Sequence, residues 1–147
     1  MRIKRSLKHA ALFFMAAALL SGCAALKFGK FPSYFDENTY QRLTFAKADI
    51  LFLYASFGES VLDMDEIRSA RVSLARLYEY EKGKGKANAA TARQVELIRQ
   101  AFEDHLQNRM GKVKWDDFDV DDFSENIGQY FDIAIETERS KNKKWKK

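Results

Sequence analysis

The chain has 147 residues, of which 46% are hydrophobic and 31% are charged. It holds a single cysteine, so no intramolecular disulfide can form and packing alone must stabilise the fold. The formal net charge is +4, but four of the 25 basic residues and none of the 21 acidic residues lie before residue 23. Beyond that point 21 basic side chains balance 21 acidic ones, so the charge is no evidence for nucleic-acid binding.

The N-terminal segment has the pattern of a secretory signal peptide. A basic cluster precedes the uncharged apolar stretch 10–20, and small residues follow it; the cluster consists of Arg2, Lys4, Arg5 and Lys8. A membrane-spanning helix needs about 20 consecutive apolar residues, so this stretch is too short to be one. Residues 1–22 are therefore predicted to be a cleaved export signal.

The residues that end this signal are Leu20, Ser21, Gly22 and Cys23. This sequence resembles the lipobox of bacterial lipoprotein precursors. The resemblance implies that the Cys23 thiol is diacylated, that the peptide is cut before it, and that the new amino group is acylated. Ala24, where an aspartate would favour inner-membrane retention, implies the periplasmic face of the outer membrane; the cell surface and the inner membrane are the alternatives.

This interpretation divides the chain into four parts. We expect a cleaved signal (1–22), a lipidated tether (23–36), one helical domain (37–141) and a basic tail (142–147). About 125 residues remain after cleavage, enough for one domain with its own core. His105 would then be the only histidine, too few for a typical zinc site, and we expect no cofactor besides the lipid on Cys23.

Apolar residues recur every three or four positions in four stretches, which predicts helices over 38–57, 63–82, 91–110 and 124–141. Short loops between them favour an all-α, antiparallel four-helix bundle. Three long helices with a short appended one is the alternative. The stretch 50–53 is apolar all round, which predicts that the first helix is the most buried one, and we expect Met110 and Tyr130 to face inward.

Several polar residues are assigned to helix ends and surfaces. The spacing of Asn38 with Gln41, Asp63 with Glu66 and Thr91 with Gln94 predicts helix caps. We expect His105 to face solvent or cap a helix, and Glu138 to lie at the edge of its helix. The stretch 83–86, Gly-Lys-Gly-Lys, lacks the spacing of a phosphate-binding P-loop and is predicted to be a turn with solvated charges.

The stretch 115–125 alternates five aspartates with apolar residues. Asp117, Asp119 and Asp121 have the spacing of the first three calcium ligands of an EF-hand loop and are candidate metal ligands. The pattern fails where the loop needs glycine and glutamate, because Asp122 and Gly128 stand there. We therefore expect no metal, and a connector whose aspartates cap the following helix.

The C-terminal tail is predicted to be either a solvated end or a contact with an anionic surface. Its candidate contact residues are Lys143, Lys144, Trp145, Lys146 and Lys147. Each basic side chain near an anionic membrane contributes about 1 kcal/mol of attraction. Phospholipid, lipid A phosphate or an acidic cell-wall polymer would present such a surface.

Three classes of function are compatible with these features. The first, which we favour, is a non-catalytic, lipid-anchored interaction or structural module whose partner is an envelope protein or a cell-wall component, with no role for nucleic acid. The second is a carrier of a small apolar ligand held between the helices. The third is a hydrolase that uses paired carboxylates such as Asp117 and Asp121, although no apolar pocket is evident to raise one pKa.

Overall fold

The structure is a computed structural model that describes residues 33–141. The predicted signal peptide, Cys23, most of the tether and the tail residues 142–147 lie outside the described residues. Within them the chain forms four α-helices: α1 (Glu37–Ser56), α2 (Met64–Gly83), α3 (Ala89–Met110) and α4 (Asp117–Ser140). A short 3₁₀ turn, Lys86–Asn88, leads into α3.

The four helices form an antiparallel bundle in which each helix packs against its two neighbours. The register is clearest between α1 and α4. Asp36 bonds to Glu138 at one end, Lys47 pairs with Asp132 along the helices, and the carbonyl of Phe57 accepts from the Trp115 N–H at the other end. The predicted all-α four-helix bundle is confirmed, and the alternative with a short fourth helix is wrong because every helix has at least 20 residues.

The core is built from the apolar stripes that the sequence predicts. Eighteen of the described hydrophobic residues are buried, from the four helices and from the loops that follow α1 and α3, and the largest include Tyr54, Phe57, Phe102, Trp115 and Phe131. Burial of a large apolar side chain contributes about 1.5–3 kcal/mol relative to its exposure. This core therefore supplies the main stabilisation in a chain without a disulfide.

The start of α4 differs most from the prediction. The helix begins at Asp117, and Asp116 and Asp119 form a capping box in which each side chain accepts from the other's backbone N–H. The acidic run is therefore the first two turns of a helix and not a connector. Val120 and Phe123 lie three residues apart and pack against the core, which explains the helical conformation.

The caps of the other helices are mixed. Asp63 caps α2 as predicted, accepting from the N–H groups of Asp65 and Glu66. Asp36, not Asn38, caps α1. Thr91 lies inside α3, buried and without a hydrogen-bond partner for its hydroxyl, so the predicted Thr91 cap is wrong.

Two predictions of burial are also wrong, because Met110 and Tyr130 are exposed at 51% and 36%. Phe52, in the apolar stretch 50–53 of the helix that was expected to be the most buried, is 74% exposed. The reason is the same for each. A bundle helix buries a single stripe, so an apolar residue beside that stripe faces solvent.

Candidate functional site

The most polar part of the interior is a cluster at the end where α1 begins and α4 ends. We call it the tether-end cluster; its members are Asp36, Thr39, Tyr80, Glu81, Lys84, Asn88, Glu138 and Lys141. Glu81 and Glu138 are both 0% exposed, although sequence analysis placed Glu138 at a helix edge. A carboxylate is buried this deeply only where other groups compensate its charge.

Glu81 is held by groups from three segments. Its Oε1 accepts from the Thr39 hydroxyl at 2.6 Å and from the Lys84 ammonium at 3.1 Å. Its Oε2 accepts from the side-chain amide of Asn88. These bonds link α1, α2 and the turn before α3.

Glu138 closes the cluster from the side of α4. Its Oε1 accepts from the backbone N–H of Asp36 at 2.7 Å, and its Oε2 accepts from the Lys141 ammonium at 2.5 Å. The same ammonium donates to Asn88 Oδ1 at 2.5 Å. Asn88 therefore connects the two buried glutamates.

Asp36 forms the outer part of the cluster. Its carboxylate lies 2.5 Å from the Lys84 ammonium and accepts from the Tyr80 hydroxyl at 2.9 Å. Burial alone would raise the pKa of Asp36, but these two donors outweigh it and lower the pKa to about 2. The Asp36 carboxylate is therefore ionised throughout the physiological range.

The tether-end cluster has the chemistry of a structural ion-pair network and not of a reactive site. Three carboxylates face two ammonium groups, and hydrogen bonds join all four helical segments. Lys84, predicted to be solvated in the turn 83–86, is instead a half-buried member of this network. Such a network fixes one arrangement of the helix ends, because a shift of one helix along its neighbour would leave a buried charge unpaired.

This cluster was not predicted, although the sequence contains one indication of it. Glu81 falls on the same helical face as Ile67, Leu74 and Leu77, which are all buried. A glutamate in an apolar stripe indicates a buried polar contact. Two of its partners, Lys84 and Asn88, follow it closely in the chain, but Thr39 lies 42 residues away.

His105 is buried, at 9% exposure, so the predicted solvent-facing position is wrong. Its Nδ1 lies 3.0 Å from the Tyr54 hydroxyl, and its ring lies 4.6 Å from that of Phe123. Burial raises the pKa of Tyr54, so its hydroxyl stays protonated where it is hydrogen-bonded to Nδ1. Burial also lowers the pKa of His105. The charges of Asp104 and Asp122 and a hydrogen bond to Asn126 raise this pKa, but they offset the effect of burial only in part.

The three candidate calcium ligands do not converge on one point. Successive side chains two residues apart on a helix point in nearly opposite directions, so Asp119 is directed away from Asp117 and Asp121. Asp119 is engaged by Lys112 at 2.7 Å, a bond that lowers its pKa. Within residues 33–141 no group of three or more Cys, His, Asp or Glu side chains is arranged to hold a metal ion.

The cavities described are shallow grooves between neighbouring helices. Two lie between α1 and α2, one between α2 and α3, and one beside the turn into α3. Neither Asp117 nor Asp121, the carboxylate pair considered for hydrolysis, lines any of the four grooves. In the described part of the chain, no helix is both long and apolar enough to cross a bilayer.

Comparison of the chain with protein-family models, with curated proteins and with solved structures finds no match.

Proposed function

We propose that this protein is a lipid-anchored envelope lipoprotein that acts as a non-catalytic interaction module. Its anchor is the acylated Cys23, and its place is the periplasmic face of the outer membrane. The helical bundle is the part that it presents to the periplasm.

One observation carries the proposal. The backbone N–H of Asp36, just before α1, bonds to Glu138 in the last turn of α4 at 2.7 Å. The chain therefore enters and leaves the bundle at the same end, between residue 36 and Lys141. Cys23 precedes this entry point and the four lysines of the tail follow the exit point, so lipid and basic residues are attached to the same end of the domain.

This arrangement suits anchoring by two signals. One acyl chain binds a membrane only marginally, whereas several chains, or one chain with a polybasic segment, anchor a protein stably. Lys143, Lys144, Lys146 and Lys147 supply that second signal, and Trp145 is suited to the interface between lipid and water.

The test is fractionation of native-host membranes that contain the wild-type protein, Cys23→Ala, or a variant with the four tail lysines changed to glutamine. We expect wild type to resist high-salt washing and to require detergent. Cys23→Ala should be lost from the outer-membrane fraction. The tail variant should remain there at high salt as well as at low salt, because its acyl chains still anchor it and high salt already screens any attraction of the lysines in wild type. Equal membrane association of wild type and Cys23→Ala would refute the lipid anchor.

A further inference from the structure

The end of the bundle opposite the tether carries a concentrated negative charge. We call it the distal tip and define it as residues 57–66 and 109–125. It contains ten carboxylates and three basic residues, Arg109, Lys112 and Lys114. The Arg109 side chain is buried, and Lys112 is paired with Asp119 at 2.7 Å. Asp65 is paired at 3.7 Å with Arg68, which lies just outside these bounds. Even with this pair the tip keeps an excess of carboxylates over basic groups, so its accessible surface is acidic.

The same tip exposes large apolar side chains among its carboxylates. Five of the eleven exposed large hydrophobic residues described lie there: Val61, Met64, Met110, Val113 and Phe118, with exposures of 83%, 50%, 51%, 78% and 75%. Single exposed apolar residues are ordinary, but a group of them at one end of a domain is typical of a contact surface. Four of the five lie in or beside the two loops of this end, and Phe118 lies in the first turn of α4.

These two loops are held in one rigid unit. The guanidinium of Arg109 is nearly fully buried and donates to three backbone carbonyls, those of Phe57 at 2.8 Å, Glu59 at 2.6 Å and Lys112 at 3.0 Å. The backbone N–H of Trp115 also donates to the Phe57 carbonyl, at 3.0 Å. A surface fixed in advance loses little conformational entropy when a partner docks.

From these features we infer that the distal tip is a docking surface for a basic, amphipathic segment of a partner protein. The apolar side chains provide anchors, and the surrounding carboxylates select a positively charged partner and raise its association rate. Anionic lipid is repelled by the same carboxylates. The inference rests on the proposed function for its location, since that function places the domain in the periplasm. Along the helices the tip lies about 30 Å from the tether end.

The first test uses a labelled amphipathic peptide of about 18 residues, with Leu on one helical face and Lys on the other. The lipidated protein is held in nanodiscs of neutral lipid, and anisotropy is measured against empty nanodiscs. We expect binding that weakens as salt rises, and no comparable binding of the same peptide with Glu in place of Lys. Equal binding of both peptides would overturn the inference.

Matched variants locate the binding. Phe118→Ser should weaken it about fivefold, whereas Phe52→Ser, which changes an equally exposed phenylalanine on α1, should leave it unchanged. Changing Asp117, Asp121 and Asp122 to asparagine should weaken it about tenfold. The charge-matched control, Asp49→Asn with Glu79→Gln and Glu136→Gln, should have no such effect. Equal losses in tip and control variants would contradict the assignment.

Two further outcomes separate this inference from its rivals. The basic tail of a second copy is the other candidate occupant of the tip. Self-association that disappears when the four tail lysines become glutamine would assign the tip to that tail and overturn the partner assignment. If Cys23 proves unmodified, the lipid anchor fails, but the same peptide measurement on the unmodified chain still decides the docking surface.

Discussion

The backbone N–H of Asp36 donates to the buried carboxylate of Glu138 at 2.7 Å, joining the residue before the first helix to the last turn of the fourth. Glu138 is fully buried and also accepts from Lys141. This bond fixes the ends of the bundle to each other. It also defines the end from which both the predicted lipid tether and the basic tail depart.

Glu138→Ala is expected to destabilise the fold by about 3 kcal/mol, because it leaves the ammonium of Lys141 and the N–H of Asp36 without this partner in a buried site. Urea unfolding followed by circular dichroism measures the change. The control is Glu136→Ala in the same helical turn, where the side chain is 67% exposed and paired only with Arg139. It should cost less than about 0.5 kcal/mol. Similar costs for both variants would contradict a fastening role for Glu138.

Arg109→Ala is expected to release the two loops of the distal tip. The carbonyl oxygens of Glu59 and Lys112 would lose the guanidinium as donor, and that of Phe57 would keep only the backbone N–H of Trp115, at a cost of about 3 kcal/mol. Hydrogen exchange should accelerate at residues 58–63 and 111–116 before it changes at the tether end. Arg68→Ala, which removes a 79% exposed side chain, serves as the control. Unchanged hydrogen exchange in these loops of Arg109→Ala would contradict the inference that Arg109 holds them together.

The burial of His105 predicts a loss of stability in mild acid. Burial lowers the pKa of its imidazole below the ordinary 6.5, so the unfolded chain takes up the proton first as the pH falls. The contribution to the free energy of unfolding is complete above pH 6.5 and is lost as the pH falls towards the folded pKa. Carboxylates titrate mostly below about pH 5, so unfolding at about pH 7.5 and about pH 5.5 isolates the histidine. His105→Gln should flatten this difference, and an unchanged slope would assign the loss to other groups.

Gly85 occupies a backbone conformation that disfavours side chains, with φ at +75°. Gly85→Ala should therefore cost about 1–3 kcal/mol. Gly83 ends α2 with a helical backbone and has open space around it, so Gly83→Ala should be neutral or slightly stabilising. The two thermal midpoints should move in opposite directions, or the first alone should fall. An equal effect would show that the turn is not held at this φ.

Periodicity was sufficient to predict the four helices, because each one buries a regular apolar stripe. It could not predict the tether-end cluster. Glu81 and Glu138 each bond to a lysine nearby in sequence, but Thr39 and Asp36 reach them from another segment, and a stripe does not reveal what lies across from it. His105 was misplaced for the same reason: its partner, Tyr54, belongs to α1. The start of α4 was missed because a run of aspartates has the composition of a loop, although Asp116 and Asp119 cap the helix.

The distal tip was hidden by a different limitation. Its two acidic segments are separated in sequence by most of α2 and α3, and only the antiparallel connectivity brings them to one end. Arg109 holds the two loops through hydrogen bonds to backbone carbonyls, and every residue has such a carbonyl, so the sequence does not indicate these bonds. A buried arginine is therefore visible only in the structure.

Intact mass spectrometry of the protein purified from its native host tests whether the bundle is held to a membrane through acylated Cys23. We predict a chain that begins at Cys23 and carries two or three acyl chains, with Cys23→Ala lacking this mass increment. An unmodified Cys23, or a chain still carrying residues 1–22 in the purified protein, would contradict the account.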